Sequence, residues 1–317
     1  MNTARLSASL SLVALSLGCA PVDDGTAAAG QAIHADTYTN AGGPQSERTA
    51  LVYGCTATYI TPRYAVTAAH CMVPVGAVVD PDVALSPSEL RRVVRVVLPA
   101  GINPAAGDFT DSGERYADIA LLELDADIDV DSKPATMEWA YPGADQLGYK
   151  VGFGDPFAPV DPLSFVDHQT VDRTRSGSDA DGSFLTQNAQ TDPGDDGGPF
   201  LRPYDMRLLG VLHDDVYDWG LRDKYTSVPR QLPFILSTIG YTGAFTTLAS
   251  PRIPSSPVQT FNATTELACR YACDHTSTCA SYTYVPVGWI YGYASCYLAP
   301  STSGSAVAVP GAVSRRK

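Results

Sequence analysis

Three short segments of the chain contain side chains that could act together in proton transfer. His70 lies in residues 67–71 (Thr-Ala-Ala-His-Cys), Asp118 precedes an apolar run, and residues 194–199 read Gly-Asp-Asp-Gly-Gly-Pro. A histidine exchanges protons near neutral pH, and a carboxylate bonded to its ring can orient it. Taken singly, the glycine-rich segment is a common turn and the histidine an ordinary surface or core residue. In the order histidine, aspartate, loop, they are typical of nucleophilic catalysis.

On these motifs the chain resembles the trypsin and chymotrypsin family, whose nucleophile segment reads Gly-Asp-Ser-Gly-Gly-Pro. Five of the six residues are present, and Asp196 stands where the family has its serine. The resemblance covers residues 32–241. It implies that His70 is the general base, that Asp118 orients it, and that the backbone N–H groups of Gly194 and Asp196 form the oxyanion hole.

Asp196 removes the chemistry that the rest of the motif implies. A carboxylate with an ordinary pKa of about 3.9 is a feeble nucleophile and has no proton to give at neutral pH. Loss of the nucleophile costs on the order of a millionfold in turnover. We therefore predict an inactive pseudoprotease in which His70 stays cationic between Asp118 and Asp196. The alternatives are an active serine-type endopeptidase, if Asp196 is not the native residue or is compensated, and a purely structural surface protein.

The substrate cleft also departs from the family. Gln190 stands at the base of the primary specificity pocket, six residues before the nucleophile position, where trypsin has an aspartate. The strand that binds the substrate backbone reads Ser-Trp-Gly in the family, and His213 and Asp214 begin its counterpart here. The resemblance therefore assigns Gln190, His213 and Asp214 to the specificity pocket.

Strands must position these residues. Over residues 51–67, short apolar runs alternate with turns, which predicts antiparallel strands. Residues 91–99 are predicted to be a further strand, and residues 116–124, 148–154, 208–212 and 225–228 resemble strands of the family. The resemblance implies a mainly β fold, a trypsin-like double antiparallel β-barrel, with a disulfide between Cys55 and Cys71. Residues 229–239 resemble the family's closing helix, with Leu232, Ile235 and Ile239 on one face.

After a predicted linker at residues 242–257, residues 258–310 resemble a PAN/Apple module, a small α+β domain stapled by disulfides. The family pairing joins Cys269 to Cys296 and Cys273 to Cys279, although four cysteines permit three connectivities and could also bind zinc. An oxidising compartment favours disulfides. The resemblance implies a protein or carbohydrate ligand. Residues 311–317 are predicted to be a tail.

The N-terminus predicts export. Residues 1–18 have a cation and an apolar run typical of a signal peptide, and the segment up to Cys19 resembles a bacterial lipobox. We expect lipidation at Cys19 and a linker over residues 19–31, hence a cell-envelope lipoprotein of the outer membrane or a secreted protein. The family places its mature N-terminus near Ile33, whose freed amine pairs with the aspartate here numbered Asp195. No basic residue precedes Ile33.

The composition of the chain argues against some classes of binding partner. The 317 residues have a formal net charge of −13, which argues against nucleic acid as a partner. The alternating carboxylates of residues 125–131 lack the glycine and final glutamate of a calcium loop. The resemblance places Asp118 on the far side of the His70 ring from Asp196, so these three are not expected to converge on a metal. The sequence predicts no metal and no cofactor, and contact with a membrane only through a lipid at Cys19.

Overall fold

The structure is a computed structural model, and the residues that it describes all belong to one compact unit, Gln31–Lys317. The described residues are 46–81, 90–112, 116–128, 133–142, 146–153, 164–172, 182–186, 193–217, 221–248, 252–287, 294–300, 307–308 and 311–317. The predicted signal peptide, Cys19, the first linker, Ile33 and Gln190 lie outside them.

The first barrel is closed and antiparallel, with strand order β1-β2-β3-β6-β5-β4. Its strands are β1 (Thr49–Val52), β2 (Cys55–Thr61), β3 (Tyr64–Thr67), β4 (Val78–Asp80), β5 (Arg91–Val97) and β6 (Ala120–Leu124). The β1–β2 hairpin turns through Tyr53 and Gly54, both with positive φ. Such a turn matches the right-handed twist of the strands and so fixes their register.

The second barrel has the same construction, with strand order β10-β11-β12-β9-β8-β7. Its strands are β7 (Leu147–Gly152), β8 (Ser164–Asp172), β9 (Ser183–Thr186), β10 (Pro199–Leu201), β11 (Leu208–Tyr217) and β12 (Leu221–Ser227). Helix α1 (Val228–Thr238) follows and buries Leu232 and Ile235, while Ile239 is its half-buried C-cap. The two barrels confirm the predicted mainly β double-barrel class.

The C-terminal part is a five-stranded sheet, ordered β13-β19-β16-β17-β15, with one helix and a separate pair, β14-β18. Its elements are β13 (Thr246–Thr247), β14 (Arg252–Ile253), β15 (Gln259–Asn262), α2 (Glu266–Asp274), β16 (Ser281–Val285), β17 (Ser295–Ala299), β18 (Val307–Ala308) and β19 (Val313–Arg316). The α+β class predicted for this part is confirmed.

Two predicted boundaries of this part are corrected by the strand pairing. The linker predicted at residues 242–257 contains β13 and β14, and the tail predicted at residues 311–317 contains β19. β19 lies inside the sheet because its backbone pairs with both β13 and β16, and the Ser314 and Thr283 hydroxyls bond at 2.7 Å. These strands are held by backbone pairing across distant segments, so their short polar sequences gave no apolar pattern to find.

The barrels and the C-terminal part share one apolar core. Buried residues of both barrels, of α1 and of the C-terminal sheet and helix form one continuous cluster. At the junction, Tyr271 of α2 accepts a hydrogen bond from the Met137 backbone N–H at 3.0 Å, and the Trp139 ring contacts Phe261 and Tyr271. The C-terminal part is therefore packed on the barrels by buried aromatic surface.

Among the described residues there are three disulfides, Cys55–Cys71, Cys269–Cys296 and Cys273–Cys279. They are the pairs that the resemblances imply. Within the described residues, no helix has both the length and the apolar character needed to cross a membrane.

Candidate functional site

Pairing of β3 with β6 brings His70 and Asp118 together. Thr67 pairs with Ala120, so the turn that follows β3 and the residue that precedes β6 lie at the same end of the ladder. His70 is in a short 3-10 turn, Ala69–Cys71, which the disulfide to Cys55 ties to the start of β2. Asp118 is fully buried.

The Asp118 carboxylate holds His70 through two hydrogen bonds. Its Oδ1 accepts the His70 backbone N–H at 2.9 Å, and its Oδ2 accepts the ring Nδ1–H at 2.7 Å. Burial alone raises the pKa of Asp118, but hydrogen bonds from His213 and His70 outweigh burial and lower the pKa to about 2. Asp118 is therefore an anion throughout the physiological range.

The segment at residues 193–198, which we call the Asp196 loop, is pinned to β2. Thr56 donates its backbone N–H to the Asp196 carbonyl at 2.8 Å and its hydroxyl to the Gly194 carbonyl at 3.0 Å. Gly197 has a φ of +81°, and a Cβ there would lie 2.1 Å from the Thr67 hydroxyl oxygen. Only glycine fits this position, because a side chain would meet both backbone strain and a clash.

Asp196 lies against the ring nitrogen of His70 that faces away from Asp118. Its Oδ2 is 3.2 Å from His70 Nε2, and the two side chains are 19% and 25% exposed. Burial lowers the pKa of His70, but the hydrogen bonds and charges of Asp118 and Asp196 outweigh burial and raise it to about 10. The imidazole is therefore a cation at neutral pH, with a carboxylate on each nitrogen.

Comparison with known proteins places this geometry in a family. A family model described as Trypsin matches residues 36–233. The chain belongs to the trypsin family. A second model, described as PAN domain, matches residues 253–299. The chain thus combines a trypsin domain with a PAN domain, and PAN domains in general bind protein or carbohydrate.

Solved structures with a serine-protease fold are similar to about three fifths of this chain. Neuropsin, a serine protease expressed in the limbic system of mouse brain, is 18% identical with a TM-score of 0.49, covering 62% of this chain and 96% of its own. The scabies mite inactivated protease paralogue S-I1 is 20% identical with a TM-score of 0.50, covering 64% and 98%. At 20% identity, the similarity to the mite paralogue shows only a shared fold. A search of curated proteins finds no match.

His213 has a contact in the trypsin domain that the sequence did not predict. Its Nδ1 donates a hydrogen bond to Asp118 Oδ2, the same oxygen that bonds His70, and the two imidazole centroids are 5.3 Å apart. The rings of Phe109 and Tyr116 contact His213 at 5.4 and 5.2 Å. Sequence reasoning placed His213 in the specificity pocket. The one available signal was an ionisable residue next to a buried strand position, Leu212.

The structure describes some, but not all, of the other site residues predicted for the trypsin domain. Gly194 is buried in the Asp196 loop, two residues before Asp196, and its predicted part in the oxyanion hole stays a prediction. Asp214 pairs with Lys224 in the β11–β12 ladder, and its side chain is not among those described. The predicted role of Gln190 concerns a residue outside the described ones.

Donor atoms of His70, Asp118 and His213 lie within 4.8 Å of one another and could in principle hold a metal ion. Their spacing is that of hydrogen bonds, with His70 Nδ1 2.7 Å from Asp118 Oδ2. Two ligands of a tetrahedral zinc ion with bonds of about 2.0 Å lie about 3.3 Å apart. The cluster fits shared protons better than a shared metal, and Asp196 faces the opposite ring nitrogen.

Proposed function

We propose that this chain is an exported trypsin homologue without proteolytic activity, which acts in binding through its PAN domain. The observation that supports this best is the contact between Asp196 Oδ2 and His70 Nε2 at 3.2 Å. A serine protease needs Nε2 as a proton acceptor facing a hydroxyl. Here Nε2 faces a carboxylate, at the position where the resemblance expects the serine.

Both halves of the proton transfer fail in this arrangement. With a pKa of about 10, His70 already carries a proton on each ring nitrogen at neutral pH and cannot accept another. Asp196 has no proton to give, and its attack on a peptide carbonyl would form an anhydride. Its negative charge also stands beside the predicted oxyanion hole, where it repels a developing oxyanion.

The decisive experiment compares the purified mature chain with Asp196→Ser, using a fluorophosphonate probe and a broad peptide library, with Asp196→Ala as the matched control. We expect the native chain and Asp196→Ala to be silent and Asp196→Ser to label, because the serine restores the nucleophile beside His70. If none of the three proteins labels or cleaves peptides, the substrate cleft as a whole has lost the geometry of an active protease. Peptide cleavage by the native chain contradicts the proposal.

An active endopeptidase is the second candidate. It is favoured by the two hydrogen bonds from His70 to Asp118, which keep the base in the orientation that catalysis uses. In that case the native chain cleaves peptides, and His70→Ala abolishes the cleavage. If His70→Ala changes neither peptide cleavage nor binding, the result supports a purely structural role at the surface.

The proposed ligand of the PAN domain is a protein or a carbohydrate. A fragment of residues 245–310 is unsuitable for testing it, because such a fragment lacks β19 and exposes the core shared with the barrels. We would test the whole mature chain on arrays of purified polysaccharides and extracellular proteins. Binding should survive His70→Ala, which alters the cleft, and be lost in Cys273→Ser/Cys279→Ser, which opens a PAN disulfide. The opposite pattern assigns binding to the cleft.

We also propose that residues 1–18 direct export and that Cys19 carries the lipid. The proposal is supported by the apolar run and the lipobox-like segment. Fractionation and mass spectrometry of the N-terminal peptide test it. Native chain should partition with membranes and Cys19→Ala should not. A soluble native chain with an unmodified N-terminal peptide supports plain secretion.

A further inference from the structure

A fully buried lysine stands behind the Asp196 loop. Lys150 on β7 is fully buried, and its Nζ donates to Asp223 Oδ2 on β12, which is also fully buried. Burial of an ammonium is costly and lowers the pKa of Lys150, although the charge and hydrogen bond of Asp223 and the charge of Asp195 oppose that lowering in part. A lysine at such a position is retained only where carboxylates pair with it.

The second of these carboxylates, Asp195, lies against the same face of β7. Lys150 and Gly152 are two residues apart on the strand, so their Cα substituents point the same way. A Cβ on Gly152 would lie 2.0 Å from Asp195 Oδ1. The Asp195 carboxylate therefore rests on the backbone of β7 one step along from Lys150, in the space that glycine leaves.

Asp195 is also the residue whose position decides where Asp196 goes. It directly precedes Asp196, it is fully buried, and its carbonyl accepts the Gly198 N–H at 2.8 Å, which closes the turn of the Asp196 loop. A buried carboxylate needs a cation to stay charged. The family resemblance assigns that role to an amine freed by cleavage near Ile33, whereas the chain has Lys150 on the adjoining strand.

We propose that Lys150 is a positioning residue: it is the internal cation that holds Asp195, and it thereby sets the Asp196 loop against His70 in a chain that has not been cut near Ile33. The loop is then folded as soon as the trypsin domain folds. This inference does not depend on whether the chain cleaves peptides.

The first test uses the native sequence in two soluble forms, one that begins at residue 20 and so lacks the lipid, and one made to begin at Ile33. Hydrogen exchange reports the Gly197 and Gly198 amides, which bond to the Leu212 and Asp195 carbonyls at 2.9 and 2.8 Å. NMR follows the His70 ring, which faces Asp118, Asp196 and, through Asp118, His213. We expect equal protection and the same His70 titration in both forms. Protection that appears only in the form beginning at Ile33 overturns the proposal.

The second test removes the cation. Lys150→Met should speed exchange of the Gly197 and Gly198 amides by roughly tenfold or more and lower the His70 titration midpoint as Asp196 moves away, while the β1–β2 amides keep their protection. Lys150→Arg should restore the His70 midpoint in part. Lys133→Met, at a lysine 60% exposed and paired with Glu47, is the control. A folded Lys150→Met with native loop exchange contradicts the proposal; if that variant does not fold, the first test still decides.

Discussion

At the scale of single residues, the site is a row in which carboxylates alternate with imidazole rings. Asp196, His70, Asp118 and His213 follow one another, each bonded or in ionic contact with the next. In a partly dry site, such contacts are stronger than in water, and they favour the cationic form of His70. The same geometry that orients His70 in a protease therefore keeps its proton in place here.

The free energy of unfolding should depend on pH, because His70 and Asp118 in this row have shifted pKa values. The pKa of His70, about 10, lies above its unfolded value of 6.5, so its contribution is complete below pH 6.5 and is lost as the pH rises through 10. The pKa of Asp118, about 2, lies below 3.8, so its contribution is complete above pH 3.8 and is lost as the pH falls through 2. Urea unfolding of native chain should therefore show a plateau from about pH 4 to 6.5 from these two groups.

Asp196→Asn tests the alkaline side of that plateau. It should lower the NMR titration midpoint of His70 by at least about one pH unit, since it removes one of the two charges that favour the imidazolium. The loss of stability should still begin near pH 6.5, but it should be smaller and be complete at lower pH than in the native chain. Asp205→Asn, which removes a carboxylate paired with Arg202, is the control. An unchanged His70 midpoint in Asp196→Asn would show that Asp196 does not act on the ring.

At the scale of elements, the sequence predicts what local patterns encode. The motifs around His70 and Asp118 predicted two residues that the β3–β6 ladder brings to one place, and the glycines around Asp196 predicted a tight turn. The bond from His213 to Asp118 and the pairing of β19 depend on distant segments meeting, so no local pattern contains them. Lys150 is a similar case, because a lysine in a strand is ordinarily read as exposed.

Gly152→Ala tests how closely β7 meets the Asp196 loop. A Cβ at this position would lie 2.0 Å from Asp195 Oδ1 and 2.6 Å from its Cγ, so β7 or the carboxylate must move. We expect a loss of about 3 kcal/mol or more in the free energy of unfolding, at the upper end for overpacking. Gly107→Ala is the control: its φ is +68° with nothing within 4 Å, so strain alone should cost about 1 kcal/mol. Equal losses in urea unfolding would contradict the close contact.

At the scale of the whole molecule, the PAN domain and the trypsin domain are packed into one compact unit. The junction joins residues far apart in the chain, and the Arg207 guanidinium lies 3.7 Å from the centre of the Trp139 ring as part of it. Helix α2 presents Tyr271 to the barrels, so that side of the PAN domain is occupied. The ligand proposed for the PAN domain would then have to approach from surfaces other than this junction.

The whole chain should therefore unfold in a single transition, and this cooperativity should depend on Trp139. Trp139 is 2% exposed, and Trp139→Ala should cost about 3–5 kcal/mol by emptying the junction. Tyr271→Phe should cost less, about 1–3 kcal/mol, because it leaves the buried Met137 N–H without its acceptor. In calorimetry, native chain should melt once, and Trp139→Ala should separate an earlier PAN transition from the barrels. Tyr53→Ala, at a tyrosine 65% exposed, should melt like native chain. Two transitions in the native chain would mean that the buried aromatic junction does not couple the domains, and the PAN domain could then be studied alone.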